Sequence, residues 1–307
     1  MNISLAQWIV TVAVTVITLA IDLVLAARRP HTPSTAECAR HLAFYLILAV
    51  LFGVWVWQAH GQQYGVQFYA GWLTEYSLSV DNLFMFMLIM STFKVPREDQ
   101  QKVLLMGIIL ALIFRGVFIA LGAVAIAEFS WTFYIFGAFL IYTAIKLSRE
   151  GAQDKVEEGD IESRVVRLTR RYVQSPTLPV IAALGATDLL FALDSIPAIY
   201  GLTEEPYLVF MANVFALMGL RQLYFLLSGL LKRLVYLPQG LAVILLFIGI
   251  KLVLHALSDN TVPFINGGLP VNVPQIPGLA SLGIIVVTLV VTTAASLYVS
   301  NRRNPES

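Results

Sequence analysis

The chain has 307 residues, of which 58% are hydrophobic and only 13% are charged, whereas a soluble domain carries about 25% charged residues. This composition excludes an ordinary water-soluble fold. The formal net charge of +1 and the single cysteine exclude a basic nucleic-acid-binding surface, a disulfide framework and a metal site built from thiolates.

Apolar runs of about 20 residues, the length that crosses a bilayer as a helix, recur along the whole chain. They predict an all-α membrane protein with nine transmembrane helices. The predicted spans are 3–26, 41–59, 66–93, 103–127, 129–147, 179–201, 206–230, 238–257 and 279–299. Because the third span is longer than a bilayer requires, we expect it to be tilted or broken.

Outside the spans, lysine and arginine are confined to alternate gaps. The intervening gaps, which contain neither residue, are 60–65, 127–130, 202–206 and 258–278. Because basic residues concentrate on the cytoplasmic side, this alternation predicts an N-terminus outside and a C-terminus in the cytoplasm. We expect a multi-pass protein of the cell inner (plasma) membrane. Two gaps are longer than turns, a charged cytoplasmic connector at 148–178 and an extracytoplasmic loop at 258–278 that is rich in Pro, Gly and Asn.

Two similar motifs lie in the third and sixth spans. Residues 74–82 and 187–195 each read as Thr, an acid, five residues, Asp and a small polar residue. An arginine follows in the next span of each half, and a lysine between Ile and Leu follows in the span after that. The three pairs, with offsets of 113, 106 and 105 residues, are Glu75 with Asp188, Arg115 with Arg221, and Lys146 with Lys251.

The three pairs occur in the same order in both halves of the chain, which predicts an internal repeat. Since the third and sixth spans run in opposite directions through the membrane, the two halves form a 3+3 inverted repeat. The first repeat covers about 66–147, the second covers about 179–257, and the last span at 279–299 stands outside both. Secondary transporters with this layout bind their substrates near the midplane, where the repeats meet.

Four acids lie within the apolar spans, and a fifth, Asp22, lies nearer the cytoplasmic end of the first span. The four are Glu75, Asp81, Asp188 and Asp194. A buried charge needs a partner, a cavity or an ion, and the basic residues within reach of the spans are Arg115, Arg221 and Lys251. Five acids against three bases leave surplus negative charge, which protons or bound cations must neutralise. The alternative is that the acids only pair with the arginines and hold helices together.

The side chains near the acids offer oxygen ligands. Asn82 and Ser195 each follow an acid by seven residues and share its helix face, and Asn213 lies in the next span. The two acids of one motif are six residues apart and point about 120° away from each other, so the helix must bend or unwind for both to meet one ion. Because oxygen ligands suit Mg²⁺, Ca²⁺ and Mn²⁺ and the histidines lie elsewhere, a hard divalent ion is predicted.

With these residues assigned, the sequence resembles the TerC family of integral membrane proteins, named for tellurium resistance and including the Alx-type proteins. The resemblance rests on residues 75–82, on 191–198 and 217–221, and on the residues around Asp22 and Lys251. It covers nearly the whole chain. Many relatives carry a glutamate at the position that Gly185 occupies here, so the resemblance implies one carboxylate fewer in this protein.

The resemblance implies export of manganese, with Glu75, Asp81, Asp188 and Asp194 as the ion site. The predicted function is therefore secondary transport by alternating access, with the lipid bilayer and a divalent ion as partners and no resident cofactor. The sequence contains neither a nucleophile–base set nor a phosphate-binding loop, so an enzyme is not expected. Two alternatives stay open: a membrane scaffold that works with membrane or secretion-machinery partners and affects tellurite resistance indirectly, and an exporter of a small organic solute. Tellurite itself is an anion that a site of carboxylates would repel.

Overall fold

A computed structural model describes residues 1, 3–28, 34–93, 95–129, 131–150, 178–227 and 236–303. Within these ranges the chain forms ten α-helices and a short 3-10 turn at Asn266–Gly268, and no strand. The helices are α1 (Leu5–Arg28), α2 (Thr35–His60), α3 (Gln62–Thr92), α4 (Arg97–Glu128), α5 (Thr132–Glu150), α6 (Leu178–Tyr200), α7 (Pro206–Met218), α8 (Leu220–Leu227), α9 (Leu237–Ser258) and α10 (Gly278–Arg303).

Local residues explain where several helices begin and end. The Ser34 side chain accepts a hydrogen bond from the Glu37 backbone N–H and caps α2. Gly61 joins α2 to α3 with φ = +106°, a conformation that favours glycine. Pro206 and Pro238 lie in the first turns of α7 and α9, where the missing N–H costs no hydrogen bond.

The outer surface of the helix bundle is apolar. Six helical stretches are long and apolar enough to cross a membrane: Thr35–His60, Asp99–Ile126, Val180–Tyr200, Pro206–Leu226, Leu237–Ser258 and Gly278–Ser300. Large apolar side chains on α4 and α10, such as Val117, Leu121 and Val290, are exposed, as they would be toward lipid. The all-helical membrane fold is therefore confirmed. The count of nine spans stays a prediction, because on α1, α3 and α5 the described residues contain no stretch that is both long and apolar enough.

The third span, predicted to be tilted or broken, is not broken. The long α3 is helical without interruption from Gln62 to Thr92, so it does not unwind between Glu75 and Asp81. The predicted seventh span has an interruption of one residue at Gly219, between α7 and α8, but Gly219 keeps helical φ and ψ angles of −83° and −12°, and Pro206–Leu226 still forms one stretch. α6 continues through Pro197 to Tyr200.

The helices of the two predicted repeats pack on each other in a matched pattern. α3 packs on α7, and its repeat counterpart α6 packs on α4. A Cβ on Gly71 of α3 would lie 3.7 Å from the Ala212 Cβ, and a Cβ on Gly107 of α4 would lie 3.2 Å from the Leu184 Cβ. Leu184 follows Gly71 by 113 residues and Ala212 follows Gly107 by 105, close to the offsets of the acids and the arginines.

The third pair of repeat helices, α5 and α9, crosses at glycines. A Cβ on Gly137 would lie 2.9 Å from the Gly249 carbonyl oxygen, and a Cβ on Gly249 would lie 3.0 Å from that of Gly137. The two backbones therefore touch, as small residues allow in membrane helices. A buried apolar cluster surrounds this crossing, with Leu140 and Ile248 both fully buried.

Candidate functional site

Arg115, near the middle of α4, is fully buried where the two predicted repeats meet. Its Nε and Nη2 donate to the two carboxylate oxygens of Asp188 on α6, at 2.9 Å and 3.0 Å. Its Nη1 donates to the Asn213 amide oxygen on α7 at 2.9 Å and forms an ion pair with Glu75 on α3. One guanidinium thus joins side chains from four helices, including the leading acid of each motif.

The polar groups around this arginine are only partly satisfied. Ser79 donates to Oε1 of Glu75 at 3.3 Å, and the Asn213 amide nitrogen donates to the Val209 carbonyl at 2.9 Å. Oε2 of Glu75 is buried and has no hydrogen-bond partner in the described part of the chain. With both acids ionised, the two carboxylates and the guanidinium leave one uncompensated negative charge. Such a charge, buried away from water, favours a further cation or a proton nearby.

The register between α3 and α6 shows which motif residues share a level in the bundle. Thr203, just past the end of α6, donates to the Gln67 amide oxygen at 3.0 Å, and a Cβ on Gly71 would lie 3.2 Å from Cγ2 of Ile199. Moving four residues forward along α3 therefore corresponds to moving four residues backward along the chain toward α6, so the two helices run antiparallel. Extending this register by one further step predicts that Glu75 lies level with Ser195.

Continuing the same register brings Asn82 level with Asp188. Each level therefore combines an acid of one repeat with the small polar residue of the other, and the guanidinium of Arg115 spans both levels. The Asn82 amide nitrogen and the Ser195 hydroxyl are buried without a partner in the described structure. Residues from different motifs can thus approach one another without any unwinding of either helix.

The predicted ion site is described only in part. Asp22, Asp81 and Asp194 lie on α1, α3 and α6, but their side chains are outside the described part of the structure. Among the described side chains, no group of three or more His, Cys, Asp or Glu residues could hold a metal ion. The site of four carboxylates therefore stays a prediction.

The other two predicted charge partners lie elsewhere. Arg221 is on α8, two residues after Gly219. Lys251 is half-buried on α9 and lines a cavity rather than pairing with Glu75 or Asp188.

This cavity, which we call the vestibule, has a volume of about 780 Å³. It is lined by residues at the start of α3, in the turn after α6, near the end of α9 and in the segment before α10. All of these belong to the gaps that lack lysine and arginine or to the helix ends beside them, so the predicted orientation places the vestibule on the outer side. Its lining includes Gln67, which lies about two turns from Glu75 along α3.

The vestibule carries its own charged pair. The His255 Nε2 lies 2.8 Å from a carboxylate oxygen of Glu204 and 3.7 Å from one of Asp259. The hydrogen bond from His255, helped by the positive charge of Lys251, holds the pKa of Glu204 below its ordinary value. Burial opposes this shift but does not reverse it.

Three of these contacts were not predicted from the sequence. Ser79 follows Glu75 by one helical turn, and that spacing was a usable signal. The bond between Gln67 and Thr203 and the pair of His255 with Glu204 join residues more than 50 positions apart, and no local pattern indicates them.

The geometry can now be set beside known proteins. The family model described as "Integral membrane protein TerC family" matches residues 60–304. The chain belongs to the TerC family. The acids on Arg115, the vestibule and the eight helices from α3 to α10 all fall within the matched range, so the membrane-embedded charge cluster belongs to the TerC part of the chain.

Similar membrane proteins cover most of the chain. The uncharacterized membrane protein Rv2723 of Mycobacterium tuberculosis is 44% identical, over 96% of this chain and 80% of its own length. The uncharacterized membrane protein STKORF319 of Myxococcus xanthus is 38% identical, over 80% and 82%. The putative membrane-bound redox modulator Alx of Escherichia coli K12 is 34% identical, over 95% and 94%. No solved structure matches the chain significantly.

Proposed function

We propose that this TerC-family protein is a secondary transporter that exports a divalent cation, Mn²⁺ in the first instance, across the inner membrane. The observation that carries the proposal is the convergence of Glu75 and Asp188, the leading acids of two similar motifs, on one buried arginine. A cluster built only to hold helices would be expected to balance its charges. With both acids ionised, the described side chains of this one carry a surplus negative charge, and one carboxylate oxygen among them is unpartnered.

The packing supports an inverted repeat around this cluster. In the predicted repeat α3 corresponds to α6, and α4 corresponds to α7. The contact of α3 with α7 is therefore the counterpart of the contact of α6 with α4. An inverted repeat gives a transporter two conformations of similar energy, one open to each side, and the substrate site lies at the repeat interface. Arg115 and its partners occupy that interface.

The ligand chemistry supports a hard ion. The side chains around Arg115 present carboxylate and amide oxygens, and the Ser195 hydroxyl lies level with Glu75. His255 lies in the vestibule and Cys38 on α2, away from this cluster. Such a set suits Mn²⁺, Mg²⁺ or Ca²⁺ better than a metal that prefers nitrogen or sulfur ligands.

Mn²⁺ flux into proteoliposomes tests the proposal. We expect Glu75→Gln and Asp188→Asn each to reduce flux by at least about tenfold, because each removes a carboxylate from the site. Glu128→Gln is the matched control, since it neutralises an exposed acid at the end of α4. Absence of Mn²⁺ flux in folded wild-type protein, or flux that neither substitution changes, would refute the proposal. Competition by Ca²⁺ and Mg²⁺ then ranks the ions.

A second candidate function is a membrane scaffold or assembly partner that influences the metal or redox state of exported proteins. The Escherichia coli relative is named a putative membrane-bound redox modulator, and this name favours the scaffold class. The charged connector predicted at 148–178 would serve as its docking segment, and residues 151–177 lie outside the described structure. This candidate predicts that the cellular phenotype survives Glu75→Gln and Asp188→Asn but is lost when the connector is replaced.

A further inference from the structure

We propose that Arg115 is a resident counter-cation, whose guanidinium takes the place of the transported ion between Glu75 and Asp188 while the carrier is empty. This inference rests on the proposed function and adds to it a residue that makes net transport possible. It starts from the geometry of the cluster. A divalent ion bound at the repeat interface would need the same two carboxylates that the guanidinium now holds.

The burial of the cluster explains why an empty carrier needs such a group. Glu75, Asp188 and Arg115 are each at most 1% exposed, so water does not compensate their charges. Two ionised carboxylates left without a cation in such surroundings cost several kcal/mol. A carrier that has released its ion must nevertheless rearrange to face the cytoplasm again. With the guanidinium between the carboxylates, it does so with one of its two negative charges balanced.

The contacts of Arg115 also fit a group that gives way to an ion. Asn213 accepts from Nη1, the same nitrogen that pairs with Glu75. This neutral contact stays available when an ion takes the carboxylates, so the guanidinium does not have to leave the cluster entirely. Asn213 is itself held by its bond to the Val209 carbonyl.

The inference separates two transport modes. Net transport includes a step in which the empty carrier returns, whereas exchange of Mn²⁺ for Mn²⁺ uses only the loaded carrier. Loss of Arg115 should therefore slow net transport and leave exchange largely intact. Loss of a residue that merely holds helices together would reduce both modes alike.

The experiment compares wild type with Arg115→Gln in proteoliposomes, using Mn²⁺ as the only transported ion. Net uptake is measured into Mn²⁺-free vesicles, and exchange is measured as tracer uptake with saturating Mn²⁺ on both sides. We expect net uptake to fall by at least about tenfold and exchange to stay within about threefold of wild type. Arg40→Gln, which neutralises an exposed arginine at the start of α2, is the control and should change neither mode.

A binding measurement gives a readout that does not depend on transport. Because the guanidinium competes with the ion, Arg115→Gln should tighten Mn²⁺ binding by about tenfold in titration calorimetry of the detergent-solubilised protein. A merely structural arginine predicts weaker binding, since its removal would disorder the carboxylates. Tighter binding together with selective loss of net uptake supports the inference.

Three results would overturn it: equal loss of both modes, unchanged net uptake, or weakened Mn²⁺ binding. If Arg115→Gln does not fold, Arg115→Lys replaces it. An ammonium keeps the charge but lacks the planar fork that grips Asp188, so a smaller loss of net uptake with intact exchange is expected. Wild-type protein that shows neither mode would instead refute the proposed function, so the two failures are distinguishable.

Discussion

Arg115 and Asp188 are joined by two hydrogen bonds, from Nε and Nη2 of the guanidinium to the two carboxylate oxygens, at 2.9 Å and 3.0 Å. This fork fixes the direction of both side chains and links α4 to α6. Glu75 contacts the same guanidinium through one oxygen only, and its second oxygen has no partner in the described structure. The two acids are therefore held unequally, and Asp188 is the one more firmly tied to the arginine.

This asymmetry predicts unequal effects on stability. Asp188→Asn replaces a bidentate carboxylate by an amide that can accept at only one end, and we expect it to cost about 3 kcal/mol, as for a broken buried ion pair. Glu75→Gln keeps an amide oxygen for Nη1 and should cost about 1 kcal/mol. Thermal unfolding in detergent measures both, with Glu128→Gln as the control that should change stability by less than about 0.5 kcal/mol. Equal losses for the two acids would contradict the fork geometry.

The antiparallel register of α3 and α6 predicts which residues cooperate in ion binding. Glu75 should couple with Ser195, and Asp188 with Asn82, because each pair lies at one level. Double-mutant cycles on the free energy of Mn²⁺ binding, using Glu75→Gln, Ser195→Ala, Asp188→Asn and Asn82→Ala, measure the coupling. We expect about 1 kcal/mol within a level and less than about 0.5 kcal/mol between Glu75 and Asn82. Similar coupling for all pairs would contradict the register, because residues at different levels should couple less than residues at one level.

Much of the fold was predictable because hydropathy alone determines where a chain can cross a bilayer. The predicted sixth span, 179–201, corresponds to α6 at Leu178–Tyr200, and the predicted eighth, 238–257, to α9 at Leu237–Ser258. The interruption at Gly219 was not predicted, because the whole stretch 206–230 is apolar. A Cβ on Gly219 would lie 3.1 Å from Cδ1 of Leu42 on α2. The interruption therefore lies at a close contact between helices, which hydropathy does not detect.

The site was predictable in its residues but not in its pairing. Counting intramembrane charges singled out Glu75, Asp188 and Arg115 because ionisable groups are rare in apolar spans. Spacing within one motif suggested that its two acids would have to meet through a bent or unwound helix. The register of α3 against α6 offers another arrangement, in which acids approach residues of the opposite motif. That register depends on contacts between distant residues, such as Gln67 with Thr203.

The crossing of α5 and α9 predicts a strong effect of one added methyl group. A Cβ on Gly137 would lie 2.7 Å from Cγ2 of Val253 and 2.9 Å from the Gly249 carbonyl oxygen, which is backbone and cannot swing away. We expect Gly137→Ala to lower the free energy of unfolding by about 2 kcal/mol, as overpacking does. Gly116→Ala is the matched control, because nothing lies within 4 Å of its Cβ position and alanine favours the helix. The thermal unfolding temperature should fall for Gly137→Ala and rise for Gly116→Ala. A change in the same direction for both variants would mean that α5 and α9 separate easily.

The pair of Glu204 and His255 predicts how the vestibule responds to pH. The pKa of Glu204 is below its ordinary value of 4.5 because His255 donates a hydrogen bond to the carboxylate. A carboxyl group with a lowered pKa stabilises the folded state above its ordinary pKa, and this contribution disappears as the pH falls through the lowered value. Because 57% of the Glu204 side chain is exposed, solvent screens the interaction and we expect less than about 1 kcal/mol.

Hydrogen exchange in residues 201–205 and the neighbouring end of α9 measures this contribution locally. Wild type should be better protected than Glu204→Gln at pH 7, and the difference should vanish when the pH is lowered past the folded-state pKa of Glu204. Asp259→Asn is the control, since Asp259 lies 3.7 Å from His255 rather than 2.8 Å and should matter less. A difference that persists after the Glu204 carboxyl group has been protonated would mean that Glu204 holds the vestibule through packing rather than through its charge.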